Sequence, residues 1–385
     1  MKIGIDVHSI GSGSGGNETY YRGLVEALQV IDRSSQYVLY SSGKAAEIAR
    51  VSNNFTAQYV PQSPYLRIPI SLPLSVRRDR LDAYHAQFII PPFLRCKTVT
   101  TIPDIAFEHV PEMFPAYQRL WSRTLIRCSA CAADHILTVS EYSKRDLVKT
   151  YRLPSERITV TPLAAPSELF PRDKDLSREL MARKYAISSP YLLYVGRLQG
   201  RKNLPTLVSA FARLARAGCG HKLVIAGGRD TLSQSLMSAI QCSGVASDII
   251  LPGYIAAGDL PFVYSAADVF IYPSLYEGFG LPVLEAMACG IPVITSRNSA
   301  MEEVADSAAL LIDPLDDITL AQAITSILED APLGHRLSGA GLARSATFSY
   351  RRTAELTLRV YQQLCGIEIS PEPAFDPALE RRLCS

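Results

Sequence analysis

The sequence predicts an α/β protein built from two doubly wound parallel sheets that face each other across a cleft. Its 385 residues exceed what one hydrophobic core commonly supports, so two domains are expected. Short apolar segments alternate with amphipathic helical patterns along the chain, which is typical of parallel sheets covered by helices. The same order of strand, loop and helix begins twice, near residue 3 and again near residue 191.

The first domain is predicted over residues 1–170. KIGIDV is a short apolar run typical of a buried strand, and the glycine- and serine-rich loop 11–16 leads from it to a helical pattern at 19–28. The elements predicted after it are strands at 37–40 and 99–102, a helix at 117–133, the strand HILTVS, and a helix capped by Ser140.

The second domain is predicted over residues 171–349, because apolar periodicity is lost between Pro162 and Arg172. YLLYVG then begins a second series of alternating elements. It continues with a helix at 204–214, the strands KLVIAG, DVFIYPS and PVITS, and a helix that begins at Pro282. The carboxyl ends of both sets of strands, where open parallel sheets bind ligands, are expected to line one crevice.

The end of the chain, residues 350–385, is assigned to the first domain. Leu356, Val360 and Leu364 form an apolar helical stripe that no strand follows, which predicts a helix crossing back to the first domain. The residues beyond 369 are rich in proline and charge, so we expect them to form a loosely held tail.

The charge balance excludes a dedicated nucleic-acid-binding protein. Lys and Arg total 39 against 37 for Asp and Glu, whereas such proteins carry a strong basic excess. Up to residue 170 there are 19 basic and 15 acidic residues. A solvated face is the simpler explanation of this small excess, and a weak preference of the first domain for an anionic membrane surface stays open.

No apolar run is long enough to span a membrane, and Asp6 and His8 interrupt the apolar start of the chain, so we expect a cytoplasmic protein without a signal peptide. The eight cysteines are scattered. Cys128 and Cys131 form the only close pair, but a second pair or nearby histidines would be needed for zinc. Buried thiols are therefore expected, and no metal site is predicted.

The densest motif is YPSLYEGFGLPVLEAMACGIPVIT, which lies between two predicted strands. Gly278 and Gly280 allow the backbone to approach a ligand, and Pro282 suits the first turn of a helix whose free amides receive anionic groups. Glu277 in the loop and Glu285 one turn into the helix can both face that helix start. A carboxylate accepts two hydrogen bonds from a vicinal diol, as in a ribose or hexose. The alternative is that Glu277 only caps the helix and Glu285 is solvated.

A second motif, VGRLQGRKNLPTLVSAF, places two cations around the end of a predicted strand. Arg197 follows the strand directly, and Lys202 precedes the next helix. A planar guanidinium and a compact ammonium suit the neutralisation of a diphosphate that leaves a sugar carbon. Taken alone, these cations are more simply solvated; the glutamate loop downstream favours the diphosphate site.

These motifs resemble the group 1 family of retaining glycosyltransferases with the GT-B fold, and the resemblance extends over nearly the whole chain. It depends on the spacing of Glu277 and Glu285 and on the segments EGFGLPVLEAMACGIPV, GRLQGRKN, GSGGNETY, TVSEYS and EEVADSAALLIDP. The resemblance implies two Rossmann-like domains and a mannosyltransferase-like hexosyltransferase.

The resemblance also implies roles for individual residues. Arg197 and Lys202 hold the donor diphosphate, Glu285 binds the ribose hydroxyls, and Glu277 binds the transferred sugar. The main-chain contacts that it implies are Phe279, Gly280 and Leu281 at the sugar and phosphate, Tyr254 and Ile255 beside the base, and Gly15 and Gly16 at the phosphates from the other domain.

The sequence departs from the family pattern after the strand at 99–102. Many relatives carry a histidine and aspartate pair there, and the histidine contacts the sugar near its sixth carbon. This chain has Pro103 before Asp104. Asp104 is still expected to face the sugar or the acceptor, but the donor hexose stays open, including one that lacks a 6-hydroxyl. His109 is a candidate substitute, although an incidental loop histidine is the simpler explanation.

The expected reaction is transfer of a hexose from a nucleotide diphosphate sugar, with GDP-mannose the first choice, to a glycan or lipid-linked glycan at the inner membrane surface during polysaccharide biosynthesis. The resemblance implies that the anomeric configuration is retained, and we expect the diphosphate to take the acceptor proton while Arg197 and Lys202 stabilise the developing charge. Neither a metal nor a cofactor is expected.

Three other functions stay open. Gly11, Gly13 and Gly16 satisfy G-x-G-x-x-G, which suggests an NAD-dependent dehydrogenase. However, the strand ending YVLYSSGK offers serine and lysine where a ribose-binding acid is expected. A sugar-nucleotide epimerase of similar architecture and a catalytically silent nucleotide-binding partner in polysaccharide assembly are the other two.

Overall fold

The computed structural model describes residues 1–12, 15–43, 52–188, 190–228 and 234–368. Its first sheet contains the strands β1 (Lys2–Asp6), β2 (Gln36–Ser41), β3 (Phe55–Tyr59), β4 (Ala83–Gln87), β5 (Lys97–Thr101), β6 (His135–Thr138) and β7 (Ile158–Val160). Their order across the sheet is β3-β2-β1-β4-β5-β6-β7. All of these neighbours are parallel.

The second sheet contains β8 (Tyr191–Val195), β9 (Lys222–Ala226), β10 (Ile249–Gly253), β11 (Val269–Tyr272), β12 (Val293–Ser296) and β13 (Leu310–Ile312). Their order is β10-β9-β8-β11-β12-β13, again all parallel. The strand order reverses between β1 and β4 in the first sheet and between β8 and β11 in the second. Open α/β sheets bind ligands at such reversal points, beyond the carboxyl ends of the strands.

Helices connect the strands of both sheets. Those that follow strands of the first sheet are α1 (Gly16–Ile31), α2 (Pro64–Leu66), α3 (Leu72–Asp79), α4 (Ala106–His109), α5 (Ala116–Ala132) and α6 (Glu141–Tyr151). A π-helical turn, Arg67–Ser71, joins α2 to α3. The remaining helices are α7 (Lys174–Tyr185), α8 (Leu204–Arg216), α9 (Gln234–Cys242), α10 (Leu260–Ala266), α11 (Leu281–Ala288), α12 (Ser299–Ala305), α13 (Asp317–Glu329), α14 (Ala331–Ser345) and α15 (Tyr350–Leu364).

The core lies against both faces of each sheet. Adjacent residues of the central strands, such as Leu192 with Leu193 and Phe270 with Ile271, are all fully buried. Because adjacent side chains point to opposite faces of a strand, a continuous apolar run indicates burial on both sides. This is why the short runs KIGIDV and YLLYVG mark strands so clearly in the sequence.

Helix starts follow the capping chemistry that the sequence predicts. The Ser140 side chain accepts a hydrogen bond from the Ser143 backbone N–H over 3.0 Å, which confirms it as the cap of α6. Asp173, Asp316 and Ser349 cap α7, α13 and α15 in the same way. Each such cap contributes about 1 kcal/mol by satisfying an otherwise unpaired amide.

Helix α15 crosses back to the first sheet, as predicted. Its first residue, Tyr350, packs so closely on α1 that a Cβ atom added to Gly23 would lie 2.6 Å from the tyrosine ring. Farther along, the Tyr361 hydroxyl lies 2.6 Å from Nδ1 of the buried His85 in β4. The predicted loose tail beyond residue 369 lies outside the described residues, and so does Gly13.

Two other expectations concern composition. The prediction of buried thiols is wrong for Cys128, Cys131 and Cys242, which are exposed. On α5, which carries the first two, Ile126, Ser129 and Ala130 form the buried face. Among the residues that the structure describes, no helix combines the length and the apolar character needed to span a bilayer.

Candidate active site

The loops that follow β8 and β11 lie side by side at the reversal point of the second sheet. The two strands pair directly, with Leu192 opposite Val269 and Leu193 opposite Phe270. The loop after β8 carries Arg197 and ends in a 3-10 turn, Gly200–Lys202. The loop after β11 carries Glu277. The cations and the carboxylate of the two sequence motifs are therefore held at one edge of the sheet.

Lys202 and Glu277 form a buried ion pair, and their side chains are only 7% and 8% exposed. The Lys202 ammonium donates to Oε1 of Glu277 and, over 2.7 Å, to the Tyr272 hydroxyl. The ammonium also lies 5.1 Å from the centre of the Tyr272 ring. Tyr272 in turn stacks on Tyr194 with a centroid distance of 5.6 Å. Two aromatic rings at the strand ends thus fix the position of the lysine.

Several donors hold the Glu277 carboxylate. Oε1 accepts from Lys202, from the Ser274 hydroxyl at 2.7 Å and from Tyr272 at 3.2 Å. Oε2 accepts from Arg201 at 2.8 Å. Burial by itself raises the pKa of Glu277, but the charges of Arg201 and Lys202 and these hydrogen bonds lower it to about 2. The group is therefore a carboxylate at neutral pH.

The charge of Lys202 is less firmly held. Burial is the largest cause that lowers its pKa, the neighbouring Arg201 charge lowers it further, and Glu277 opposes both, so that the pKa is about 8. Near neutral pH the lysine is charged, but a moderate change in its surroundings is enough to alter that.

Arg201 is a site residue that the sequence analysis missed. Its guanidinium donates to Oε2 of Glu277 at 2.8 Å and to the Tyr276 carbonyl at 2.9 Å. Burial lowers its pKa, but Glu277 and then Asp104 outweigh burial, and the pKa is raised. The only sequence signal is a second cation beside Lys202, in a loop where charge is usually solvated.

The two cations that the sequence analysis paired differ in exposure, since Lys202 is buried and Arg197 is not. Arg197 is exposed at the edge of the cleft, and only its backbone carbonyl has a described partner, the Tyr194 hydroxyl at 3.0 Å. Within the described ranges, its guanidinium forms no ion pair. Arg201 is the arginine that contacts Glu277, and the Arg197 side chain is exposed.

Glu285 lies in the second turn of α11. Its Oε2 accepts a hydrogen bond of 2.8 Å from the Tyr264 hydroxyl. Burial raises the pKa of Glu285, and the bond from Tyr264 only partly opposes this. No cation of the described chain forms an ion pair with it. A carboxylate with one neutral donor retains free acceptor positions for hydroxyl groups.

Backbone geometry shapes the start of α11. Gly280 adopts φ 90° and ψ 46°, a left-handed conformation that favours glycine. Phe279 and Leu281 on either side are buried. The first amides of α11 thus follow directly on the loop of Glu277, as the motif EGFGLP predicts.

The two lobes meet at Gly278. A Cβ atom at this position would lie 2.4 Å from the Pro103 carbonyl and 2.8 Å from Cβ of Asp104. The Ser140 hydroxyl donates to the Gly278 carbonyl at 2.7 Å, and the Ser143 hydroxyl does so at 3.2 Å. This contact gives the motif TVSEYS a function in joining the lobes. It also brings Asp104, after β5, to the cluster of Arg201, Lys202 and Glu277.

A second contact between the lobes explains His109. Its Nε2 lies 2.7 Å from Oδ1 of Asp146, and its ring stacks on Tyr276 at a centroid distance of 5.3 Å. The Tyr276 hydroxyl donates to the other oxygen of Asp146. His109 thus holds the loop of Glu277 against α6, which is a structural role distinct from the sugar contact considered from the sequence.

A third contact involves the motif EEVADSAALLIDP. Glu303 in α12 accepts from the backbone N–H groups of Glu141, at 2.8 Å, and Tyr142, at 2.7 Å. A carboxylate from one lobe therefore caps α6 in the other, where the helix dipole favours negative charge.

The remaining residues predicted to contact the donor lie outside the Lys202–Glu277 cluster. Tyr254 is exposed and Ile255 is buried just after β10. Gly15 has φ 65°, and neither Gly15 nor Gly16 has any atom within 4 Å of an added Cβ position, so the start of α1 borders open space. In the described chain, no hydrogen bond joins these four residues to the Lys202–Glu277 cluster.

Comparison with known proteins gives a family. The profile described as Glycosyl transferases group 1 matches residues 177–344, and that of Glycosyltransferase Family 4 matches residues 14–168. O-antigen chain mannosyltransferase B from Escherichia coli is 32% identical over 289 residues, which cover 74% of this chain and 76% of that protein. Some relatives are longer: this chain spans 29% of a serotype-specific mannosyltransferase, WbdA, from the same organism.

Solved structures share the fold at low sequence identity. Sucrose-phosphate synthase from Thermosynechococcus elongatus superposes with a TM-score of 0.78 at 22% identity, covering 95% of this chain and 99% of that one. Anabaena HepE, solved in complex with UDP-glucose, gives a TM-score of 0.75 at 16% identity and covers 94% of this chain and 100% of that one. The two parallel sheets and the superposition on these structures show the GT-B fold. Together with the matching profiles and the mannosyltransferase relative, they show that the chain belongs to the group 1 glycosyltransferases.

Proposed function

We propose that this glycosyltransferase moves a hexose, with mannose the first candidate, from a nucleotide diphosphate sugar to a hydroxyl of a glycan or lipid-linked glycan in cell-surface polysaccharide synthesis. The observation that carries the proposal is the buried Lys202–Glu277 pair at the ends of β8 and β11. The choice of mannose as the first candidate sugar is supported by the similarity to O-antigen chain mannosyltransferase B.

Free hydrogen-bonding positions support this assignment. An ammonium has three donors, and Lys202 uses two of them on Glu277 and Tyr272. The third is left for a phosphate oxygen. A carboxylate oxygen accepts about two bonds, and Oε2 of Glu277 accepts one from Arg201. Its second position suits a sugar hydroxyl.

The other donor groups follow the cleft. The exposed guanidinium of Arg197 and the first amides of α11, after Gly280, are suited to the diphosphate. Glu285 offers acceptor positions for the ribose diol. Gly15 and Gly16 leave room for the phosphates from the first lobe, and the backbone at Tyr254 and Ile255 suits the base.

The proposed reaction retains the anomeric configuration. The bond between the anomeric carbon and the diphosphate oxygen breaks, the acceptor oxygen bonds to that carbon from the same face, and the diphosphate oxygen takes the acceptor proton. Lys202 and Arg197 stabilise the charge on the leaving diphosphate, an effect of about 3 kcal/mol for each well-placed donor. Asp104, facing this cluster, is proposed to orient the sugar or the acceptor.

The proposed reaction needs no metal, because these cations and the amides of α11 supply positive charge where a metal would otherwise act. Transfer measured in the presence of a chelator tests this point. Full activity with EDTA is expected, and loss that Mg²⁺ restores would contradict it. The configuration of the product, read by proton NMR, tests retention directly.

The donor is tested by a thermal-shift panel of GDP, UDP, dTDP, ADP and NAD. At about 100 times its dissociation constant, a specific ligand adds about 2.7 kcal/mol to stability, enough to raise the midpoint by a degree or more. We expect a shift with GDP. A shift with UDP alone would indicate a UDP-sugar donor, as in the HepE complex with UDP-glucose. A shift with NAD alone would overturn the proposed function.

The sugar itself is tested with the matching sugar nucleotides. Since Pro103 stands where many relatives carry a histidine near the sixth carbon of the sugar, the panel should include donors without a 6-hydroxyl. Transfer from GDP-mannose in preference to its 6-deoxy counterpart is expected. The reverse preference would identify a 6-deoxyhexose as the transferred sugar and leave the proposed type of reaction unchanged.

We further propose that the first lobe contacts an anionic membrane surface through an exposed apolar patch. The patch consists of Tyr65, Leu66, Ile70 and Leu74 around α2 and α3, and of Tyr117, Leu120 and Trp121 in α5. The rings of Tyr65 and Trp121 touch, at 5.9 Å between centroids, so the two groups form one surface. Apolar side chains beside arginines, here Arg77, Arg80 and Arg119, are typical of interfacial binding.

The single tryptophan of the chain makes this proposal directly measurable. Emission of Trp121 should shift to the blue with vesicles containing phosphatidylglycerol and stay unchanged with phosphatidylcholine alone. Trp121→Ser combined with Leu120→Ser should reduce sedimentation with the anionic vesicles. Unchanged emission and no sedimentation of the wild type would refute the membrane contact and leave the transferase proposal intact.

A further inference from the structure

An Asp–His pair lies at the reversal point of the first sheet. Strand β1 ends at Asp6, beside β4, and His8 follows it in the loop toward α1. Asp6 is 2% exposed. Its Oδ1 lies 2.8 Å from Nδ1 of His8 and accepts the His8 backbone N–H at 3.1 Å. The loop thus locks the imidazole ring to a buried carboxylate.

This contact determines what the other ring nitrogen can do. A carboxylate only accepts hydrogen bonds, so Nδ1 of His8 carries the hydrogen, and Nε2 of the neutral ring is an acceptor. The His8 side chain is 26% exposed, and its Nε2 has no hydrogen-bond partner in the described part of the chain. A buried carboxylate that orients an imidazole is a common way to aim its second nitrogen at a hydroxyl group.

The pair is on the wall of the cleft that faces the donor residues. Gly278, after β11, contacts Pro103 after β5 and Ser140 after β6, so the carboxyl edges of the two sheets face each other. Strands β1 and β4 lie near the middle of the first sheet. His8 therefore opens from the first lobe into the same cleft as the residues assigned to the donor.

We propose that the Asp6–His8 pair forms part of the acceptor site. Nε2 of His8 accepts a hydrogen bond from a hydroxyl of a sugar acceptor and so sets its orientation, while Asp6 acts as a positioning residue that fixes the ring. This inference rests on the proposed function. The pair takes no proton from the acceptor, so the balance of the transfer reaction is unchanged.

A purely structural role makes a different prediction. If Asp6 and His8 only stabilise the loop, replacing His8 would lower the melting temperature and leave the acceptor KM unchanged. His8 is partly exposed, so its removal is tolerable for folding, whereas Asp6 is buried and its variants need a parallel measurement of thermal unfolding.

The experiment compares His8→Ala, His8→Gln and Asp6→Asn with the wild type and with His335→Ala, a control at an exposed histidine of α14. Transfer is measured at saturating donor with methyl α-mannoside varied as the probe acceptor. Donor hydrolysis and the thermal shift with nucleoside diphosphate are measured in parallel.

His8→Ala should raise the acceptor KM about tenfold, as expected for the loss of one hydrogen bond to substrate. His8→Gln should restore part of the affinity, because its amide oxygen also accepts. Asp6→Asn should raise the KM less than His8→Ala does, because the amide oxygen can keep both bonds to His8 while the neutral amide holds the ring less firmly than a carboxylate. Donor hydrolysis, the nucleotide shift and the control should stay at wild-type values.

Two failures are distinguishable. An unchanged acceptor KM in His8→Ala, with normal transfer by the wild type, overturns the acceptor site alone. No transfer and no hydrolysis by the wild type with any sugar nucleotide overturns the proposed function, and this inference with it.

Discussion

Lys202 is a buried lysine whose charge depends on two neighbours of opposite sign. Burial and Arg201 lower its pKa to about 8, and Glu277 acts against them. In the proposed reaction, the ammonium form is the one that stabilises the leaving diphosphate. In that reaction the ionisation of Lys202 links the electrostatics of the site to the rate of transfer.

The pH dependence of donor kcat/KM, which reports groups of the free enzyme, should show this link. Because deprotonation removes the useful charge, kcat/KM is expected to fall as the pH rises through about 8. Arg201→Ala removes a cation that lowers the pKa of Lys202, so the fall in kcat/KM should move to higher pH. Glu277→Gln removes the anion that raises the pKa of Lys202, so the fall should move to lower pH. Identical profiles for all three proteins would contradict this account.

Removing Lys202 should have a larger effect on turnover than on binding. Lys202→Ala is expected to reduce kcat by a factor of about 100 to 1000, in the range found for the loss of one charge-stabilising donor. Lys184→Ala, which removes an exposed lysine paired with Asp259, is the matched control. Near wild-type kcat in Lys202→Ala would exclude Lys202 from the charge stabilisation.

At the scale of elements, short contacts between loops decide the geometry of the site. The loop of Glu277 touches the loop after β5 so closely that only a hydrogen fits at Gly278. The neighbouring serines at the start of α6 hold its carbonyl. Adding one methyl group at Gly278 would therefore push the two loops, and with them the two lobes, apart.

Gly278→Ala is expected to abolish most of the transfer activity while both lobes stay folded, because the added carbon would meet the Pro103 carbonyl, a backbone atom that cannot turn away. Circular dichroism and kcat measure the two effects separately. Gly339→Ala in α14, where no atom lies within 4 Å of the added carbon, should keep full activity. Equal kcat for the two variants would show that the lobes do not need this contact.

The sequence predicts elements well where local apolar pattern and burial coincide. It misses β4, because His85 and Gln87 interrupt the apolar run although both are buried. His85 is satisfied by Thr101 and Tyr361, and partners so distant in sequence leave no local signal. Strands β3, at an edge of the sheet, and β7, of three residues, were missed as well.

The candidate site shows the same limit. Glu277 and Lys202 were expected near one another because each follows a strand of the same parallel sheet, and the structure confirms that they are in contact. Arg201 was not expected, because the carboxylates that favour its charge, Glu277 and Asp104, are distant from it in the sequence. Their approach is a property of the folded chain and does not appear in the spacing of a loop.

At the scale of the whole molecule, α15 ties the end of the chain to the first lobe. Its Tyr361 hydroxyl contacts His85, whose pKa burial lowers to about 3, so the imidazole is neutral. A neutral buried ring that loses a hydrogen-bond partner is left partly unsatisfied. The terminal helix is therefore part of the first core.

Tyr361→Phe is expected to lower the free energy of unfolding by about 1–3 kcal/mol, the cost of an unpaired buried polar group. Tyr65→Phe, at an exposed tyrosine, is the control and should change it by less than about 0.5 kcal/mol. Urea unfolding followed by circular dichroism measures both. Equal stability of the two variants would mean that α15 contributes through apolar packing alone.

The return of α15 has a mechanical consequence. The backbone passes between the lobes twice, once after β7 and once before α15, and the Thr353 hydroxyl bonds to the Pro162 carbonyl, so the two passages lie side by side. Two adjacent attachment points form a short hinge axis, and the easiest relative motion of the lobes is a rotation about it. The mouth of the cleft can then widen to admit a donor while the parts nearest the hinge hardly move.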